Sequence, residues 1–221
     1  PYGFSAVTST TFTSHLWAGA GTNNIISYCF HSINGYQRVG SYTGTGNATG
    51  NYIYTTSDGT ATGTDGFEPA FLLVKRTDVA AGWFIYDNKR MYGSEATANP
   101  LTGELRPNEN FAEDDYPGYN FYTNGFEVAN SGTNMNAVGG TYIYLAIAAD
   151  KDTSVPTQAN SFSPTLYTGN ATARNISTPF APDFTWIKST TIASSHGLYD
   201  TIRGGAKWIT SNGTNFTQDT P

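Results

Sequence analysis

Apolar runs of four to eight residues alternate with turn clusters along this chain, a pattern that predicts short strands rather than helices. The runs place strands at 24–31, 36–42, 70–76, 83–87, 125–129, 141–148, 184–189 and 198–200. Between them, Asn34-Gly35, Asp58-Gly59, Asp65-Gly66, Asn124-Gly125 and Asn212-Gly213 each pair a residue that tolerates positive φ with a glycine, as tight turns require. Phe71 to Val74 and Tyr142 to Ala148 are apolar at consecutive positions, so both faces of those strands are expected to be covered, as in the middle of a packed sheet. The spacing as a whole predicts an all-β sandwich or barrel. No helix of three turns is expected. The nearest candidate, Asn108 to Asp115, ends at a Pro-Gly pair and reads as a single turn or loop.

The pattern also repeats. Phe67-x-Pro69 and Phe180-x-Pro182 each open a segment in which Lys75 or Lys188 stands eight residues after the Phe, and Asp87 or Asp200 twelve residues after the Lys. Upstream, Tyr42-Thr43-Gly44 is matched by Tyr167-Thr168-Gly169, and the run Ile25 to His31 looks like the closing run Tyr142 to Ala148. Recurrence at fixed spacing indicates serial units. Residues 1–35 are expected to be the C-terminal strands of a preceding unit, 36–150 a complete unit, 151–163 a polar linker and 164–221 the first part of a following unit. On this layout the chain is expected to be an excerpt of a longer polypeptide.

Composition narrows the function. Aromatics make up 14% and charged residues 13% of the chain, with 24 Gly, which favours strands and turns. The net charge of -6, with no Lys/Arg cluster beyond Lys75-Arg76 and Lys89-Arg90, argues against nucleic acid as a partner, since phosphate binding needs concentrated positive charge. No run is long enough for a membrane span, and no membrane insertion is expected. The single Cys29 lies in an apolar run and reads as a small core residue.

Catalytic constellations are weak. A glycosidase sandwich needs two facing carboxylates, and the strand pattern Glu-x-Asp-x-x-Glu is absent. Glu109, Glu113, Asp114 and Asp115 are the densest acid group and read as a solvated loop, with a cation site as the alternative. His196 and Asp200 suggest a hydrolase triad, but His196 occupies the position of Trp83 in the other copy, and no G-x-S-x-G elbow exists. No spacing of Cys, His and carboxylates suits zinc. No catalytic residue, metal or cofactor is therefore expected. The repeated Lys75/Lys188 and Asp87/Asp200 are assigned structural roles, with the lysine stem lying over an aromatic ring opposite it in a hairpin. Tyr52, Tyr54, Tyr92, Tyr116, Tyr119 and Tyr122 are not explained by alternation. Three roles fit them: stacking under a sugar, lining a protein interface, or capping the ends of a tyrosine-rich sandwich. Five Asn-x-Ser/Thr triplets, beginning with Asn47-Ala48-Thr49, are of a kind that arises by chance in so Asn- and Thr-rich a chain.

Taken in order, Gly66-Phe67-Glu68-Pro69-Ala70-Phe71, Lys75-Arg76-Thr77-Asp78, Gly82-Trp83 to Arg90, Asn124-Gly125-Phe126 and Gly139 to Ala146 resemble an uncharacterised repeat domain of tailed-phage virion proteins, many from marine viruses. Phe180 to Lys188 and Leu198 to Gly204 resemble a sister half-repeat. The insertion Thr55 to Thr64 departs from that pattern and enlarges a loop. The resemblance implies tandem antiparallel sandwiches of concanavalin A-like or jelly-roll type, and it supplies no catalytic residues. It implies a structural protein of the virion surface, a tail fibre or tail-associated adhesion protein, acting outside the cell. Its implied partners are other virion subunits, including copies of itself, and a host surface glycan. A head decoration protein is the alternative, and a polysaccharide depolymerase a more distant one.

Overall fold

In the computed structural model, residues 3–5, 8, 10–11, 13–15, 28–90, 99–148, 162–173, 175–201, 204, 206–213 and 218–219 are described. The chain divides into two compact units, Pro1–Phe30 and His31–Pro221. The first contains a hairpin of β1 (Gly3–Ser5) and β2 (Thr13–His15).

In the second unit, β3 (Gln37–Thr43), β4 (Tyr52–Tyr54), β5 (Pro69–Arg76), β6 (Trp83–Asp87), β7 (Leu101–Glu104), β8 (Asp114–Tyr122) and β9 (Gly125–Val128) are followed by one turn of helix, α1 (Thr133–Asn136), and by β10 (Thr141–Ala148). They form two four-stranded antiparallel sheets, ordered β3-β10-β5-β6 and β4-β9-β8-β7. Alternate residues of each sheet meet in a single core. Tyr42, Leu72, Val74, Phe84, Tyr86, Tyr142 and Tyr144 come from the first, and Ile53, Leu101, Tyr119, Phe121, Phe126 and Val128 from the second. This is an antiparallel β-sandwich. The two sheets are joined along one side, where Ile85 and Leu105 exchange backbone hydrogen bonds of 2.8 and 3.1 Å. On the other side, edge strands β3 and β4 flank a groove of about 400 Å³.

The core is built from tyrosines, whose hydroxyls must be bonded once buried. Tyr42 stacks on Tyr142 at 4.7 Å and donates to the Met135 carbonyl at 2.8 Å, so the 3.0 Å contact between the two hydroxyls has Tyr119 as donor. Tyr142 donates to the Thr133 carbonyl, and Tyr86 to the buried Glu104. Burial, the largest cause, holds the Tyr42 and Tyr86 hydroxyls well above their ordinary range, which keeps them protonated donors. Helix α1 thus lies over the hydroxyl ends. It is fixed there by Asn136, whose Oδ1 accepts from Thr45 N and Asn51 Nδ2 and whose Nδ2 donates to the Asn47 and Asn130 carbonyls, all within 2.6–2.9 Å. Two glycines make room. A Cβ at Gly118 would meet the Tyr86 ring at 2.3 Å, and one at Gly44 would meet the Ala137 carbonyl at 2.1 Å.

Beyond the sandwich, β11 (Phe184–Ile187), β12 (Gly197–Asp200), β13 (Lys207–Ile209) and β14 (Gln218–Asp219) form a third antiparallel sheet in that order. The β11–β12 hairpin repeats the β5–β6 hairpin register for register: Phe184↔Asp200, Thr185↔Tyr199, Trp186↔Leu198 and Ile187↔Gly197 are the counterparts of Phe71↔Asp87, Leu72↔Tyr86, Leu73↔Ile85 and Val74↔Phe84. The two strands begin alike as well. Asn108 caps the N–H of Trp83 at 2.7 Å, and Asn212 caps that of His196 at 2.9 Å. The Tyr-Thr-Gly motif is not reproduced in this way. Tyr42 is a core residue, whereas Tyr167 is exposed and Gly169 stands in open space.

Expectation and structure differ at several places. Residues 28–31 are not a strand; Tyr28 and Phe30 are 42% and 56% exposed, and Cys29 is exposed rather than in the core. The chain instead turns back at Asn34-Gly35, where Ile33 and Gln37 bond each other, and the Ser32 side chain rather than a backbone strand meets Val39 N. Residues 24–27 lie outside the described ones. Phe162, at the end of the segment read as a linker, is half-buried and packs edge-on against Phe71 on the outer face of β5, with ring centroids 5.4 Å apart. Strands β1, β2, β4, β7, β8, β13 and β14 were not anticipated, and Asp114 and Asp115 open β8 instead of ending a loop.

The third sheet is docked on the segment 106–113. Ser211 Oγ donates to the Pro107 carbonyl, Glu113 N to the Thr190 carbonyl at 3.0 Å, and the fully buried His196 bonds the Arg106 carbonyl through Nε2 at 3.0 Å. Its Nδ1 accepts from the Trp186 indole N–H at 2.9 Å. An indole only donates and a carbonyl only accepts, so the ring is neutral with its proton on Nε2. Burial first, and then the positive charges of Lys188 and Arg90, lower its pKa from 6.5 to about 4, although its bond to the Arg106 carbonyl works in the opposite direction.

Two outcomes are expected. Asn136→Ala removes one of the two acceptors of the Asn51 amide, which keeps the Thr43 carbonyl at 3.2 Å, and takes the side-chain donor from the Asn130 carbonyl; it should destabilise the sandwich by roughly 2–4 kcal/mol, lowering Tm by about 10 °C in a calorimetric scan. For His196, the folded form binds fewer protons than the unfolded chain between the two pKa values. Its contribution is therefore complete above 6.5 and is lost as pH falls toward about 4. NMR titration of the ring should give a midpoint near 4, with chemical shifts of β11–β14 changing in the same step.

Candidate functional site

The six tyrosines that alternation left unexplained do not form one set. Tyr119 is fully buried in the core, which corrects its assignment as a ligand-binding residue: on β8 it points inward with Phe121, while Asn120 and Tyr122 point outward. Tyr116 is exposed near the start of β8, and Tyr92 lies outside the described residues. Tyr52, Tyr54 and Tyr122 share the outer face of the β4-β9-β8 sheet, with Tyr52 51% and Tyr122 39% exposed.

What holds that face together is Glu127, a residue that the reading of the chain did not single out. The Asn124-Gly125 hairpin sets Tyr122 opposite Gly125 and Asn120 opposite Glu127, and β4 sets Tyr52 opposite Glu127 on the other side. Although only 3% exposed, Glu127 is fully engaged. One carboxylate oxygen accepts from Gly50 N at 2.7 Å, and the other from Asn120 Nδ2 at 2.8 Å and the Tyr122 hydroxyl at 3.1 Å. Burial alone would raise its pKa, but the hydrogen bonds from Gly50, Asn120, Tyr122 and Tyr52 outweigh this and hold it below the ordinary range. Its charge in turn raises the Tyr52 hydroxyl, and burial together with the hydrogen bond to Glu127 raises that of Tyr122. The two rings stand 6.0 Å apart at 47°, with the ionised carboxylate at the hydroxyl end of Tyr122. Around the corner, Tyr52 and Tyr54 also line the groove between β3 and β4, with Arg38, Ser41, Asn51 and Gly59.

The repeated residues take structural positions. Phe67 is buried, with its N–H and carbonyl both bonded to Thr55 Oγ1, and Pro69 is a buried first residue of β5. Phe180 is half-buried and Pro182 exposed. Lys75 lies opposite Trp83, and its Nζ donates to the Arg76 and Ala81 carbonyls at 2.8 Å, closing the hairpin loop; Lys188 reaches the Ile192 carbonyl at 3.5 Å in the second hairpin. Asp87 accepts from Lys89 N and Arg90 N and forms a 2.6 Å ion pair with Arg90, while Asp200 is buried at the matching place.

Of the acid group expected to be a solvated loop, Asp114 and Asp115 are exposed, while Glu109 and Glu113 are partly buried. Glu113 pairs with Arg90 at 2.6 Å, and Glu109 and Asp114 approach Arg106 at 3.4 and 3.7 Å. Of these, only the Arg90–Glu113 pair, 2.6 Å long and between nearly buried side chains, joins residues far apart in the chain, which a linear pattern does not display. Among the described residues no three His, Cys, Asp or Glu side chains group to hold a metal ion.

Comparison with curated proteins finds no match, and comparison with solved structures finds none either. A family model described as a domain of unknown function, DUF7483, matches residues 2–150 and 157–220. With nearly all of its length matched in these two stretches, the chain belongs to the DUF7483 family.

Proposed function

We propose that the chain is a non-enzymatic structural part of a virion, a tail-fibre or tail-associated adhesion protein of serial sandwich units, which binds a surface glycan through its Tyr52–Tyr122 face. The observation that carries the binding reading is the fixing of two exposed tyrosine rings over buried Glu127. A pyranose lays its C–H face on such a ring while amides and hydroxyls take its OH groups, and rings already held in place lose little entropy on binding. The matching register of the β5–β6 and β11–β12 hairpins supports tandem units. The virion assignment rests on the motif resemblance from Phe67 to Ala146. Each unit would bind weakly, and an oligomeric fibre would add avidity.

A second reading, contact with a neighbouring subunit, is favoured by the groove between edge strands β3 and β4 and by exposed Val39 and Ile143 on the outer face of the other sheet. Two measurements separate these. On an array of immobilised host-surface oligosaccharides, Tyr52→Ala and Tyr122→Ala should each lose binding by roughly tenfold, since a ring stacked on its ligand contributes about 1–2 kcal/mol; both should remain folded, with Tm lowered more in Tyr122→Ala, which takes a donor from Glu127. Retained binding in both variants would move the site elsewhere. Immunogold labelling of intact particles with antibody to residues 36–150 should decorate tail fibres. Label over the head would favour a decoration protein instead, and particles free of label would refute the virion assignment.

A further inference from the structure

The electrostatics of the Tyr52–Tyr122 face bear on which sugars it would accept, an inference that rests on the glycan reading above. Every side chain bonded to Glu127 is uncharged: Asn120 and Tyr122 donate to it, as does the Gly50 backbone. The basic residue of the adjoining groove, Arg38, is on β3 and donates to the Ser57 carbonyl at 2.7 Å, a neutral acceptor that leaves its charge on the groove side of Tyr52, away from the partners of Glu127. The carboxylate is only 3% exposed but lies just under half-exposed rings, so its charge acts at short range on a group seated against them. Tyr52 stands directly opposite Glu127 across β4 and β9, which brings the charge next to the exposed rim, and that charge raises the Tyr52 hydroxyl. The tyrosine faces add the negative side of their quadrupoles. All three contributions have the same sign, and among the described residues no basic side chain bonds to Glu127.

We propose that this face selects a pyranose bearing a free ammonium group over its N-acetylated and acidic counterparts. The ring of the sugar would stack on one tyrosine, and the ammonium would lie against the two ring faces above Glu127. An acidic sugar would bring its carboxylate toward a buried charge of like sign, with no cation to bridge them. An N-acetylated sugar would keep the stacking and lose the charge attraction.

The test is calorimetric titration of the full chain with three short oligosaccharides, of glucosamine, N-acetylglucosamine and galacturonate, at a pH where the amine is protonated. The glucosamine oligomer should bind about tenfold more tightly than the N-acetylated one, the size expected of a cation held against two rings and a carboxylate, and the galacturonate oligomer most weakly. Raised salt should shrink the preference, and Glu127→Gln should abolish it. Tyr52→Ala and Tyr122→Ala keep the net charge of -6 and should still lose binding, which separates the site from general attraction of cations to an acidic chain. If the N-acetylated or the acidic oligomer binds as tightly as the amine, the inference is overturned while the glycan reading stands. Amine binding that survives both tyrosine substitutions overturns it too. Failure of all three oligosaccharides to bind would overturn the inference and the glycan reading together.

Discussion

Burying tyrosine hydroxyls is the constraint on which this sandwich depends. Leucine in the same places would need only volume, but Tyr42, Tyr86, Tyr119 and Tyr142 each bring a polar atom into a space without water. An unbonded hydroxyl there costs on the order of 1–3 kcal/mol, so several such losses would rival the whole stability of a domain. The structure answers by bringing acceptors in with the rings. The carbonyls of Thr133 and Met135 take two hydroxyls, Glu104 takes a third, and Tyr119 donates to Tyr42. Helix α1 is a single turn because its purpose is to aim those carbonyls inward, and Asn136 at its end ties it to the loop 45–51. The Tyr-Thr-Gly motif belongs to the same device, with Tyr42 as the ring and Gly44 as the position that lets the chain pass beneath Ala137.

Much of this was legible in the sequence. Strands β5, β6, β9 and β10 stand out as apolar runs beside clear turn residues, and the structure has them within a residue or so of the expected bounds. Strand β8 was not legible, because Asp114-Asp115-Tyr116-Pro117-Gly118 has the composition of a loop. It is a strand nonetheless, since its first half is exposed and Gly118 makes room for Tyr86. Strand β4 is only three residues long, too short for a period to be counted. For the candidate site, Tyr52 and Tyr122 could be named from composition, but Tyr119 was grouped with them because alternation within β8 was invisible. Glu127 could have been found. A two-residue Asn-Gly turn fixes the register, placing Glu127 opposite Asn120, and a lone acid between Phe126 and Val128 in such a strand requires an explanation.

The two hairpin copies show which parts of the repeat are architectural. Register, loop-closing lysine, capping asparagine and buried aspartate recur, while the residue at the start of the second strand is Trp83 in one and His196 in the other. The difference has a physical basis. Trp83 opens a strand at the edge of a complete sandwich, whereas His196 must bond a neighbouring segment, and a neutral imidazole offers both a donor and an acceptor where an indole offers only a donor. A motif kept for hairpin geometry is thereby free to vary at the one position that faces another sheet.

Glu104 and Glu127 show how environment assigns different roles to the same residue. Both are nearly buried on the β4-β9-β8-β7 sheet, and both accept a tyrosine hydroxyl. Glu104 is compensated by Arg106 at 2.7 Å, so its charge is spent within the protein. Glu127 has only neutral donors, so its charge is stabilised but not cancelled and remains felt at the surface. A sheet that needed only to fold could carry an apolar residue at that position, with no desolvation to offset and no hydrogen bonds to supply. The arrangement makes sense if what it provides lies outside the fold: two tyrosine rings held in one orientation, with a negative charge beneath them.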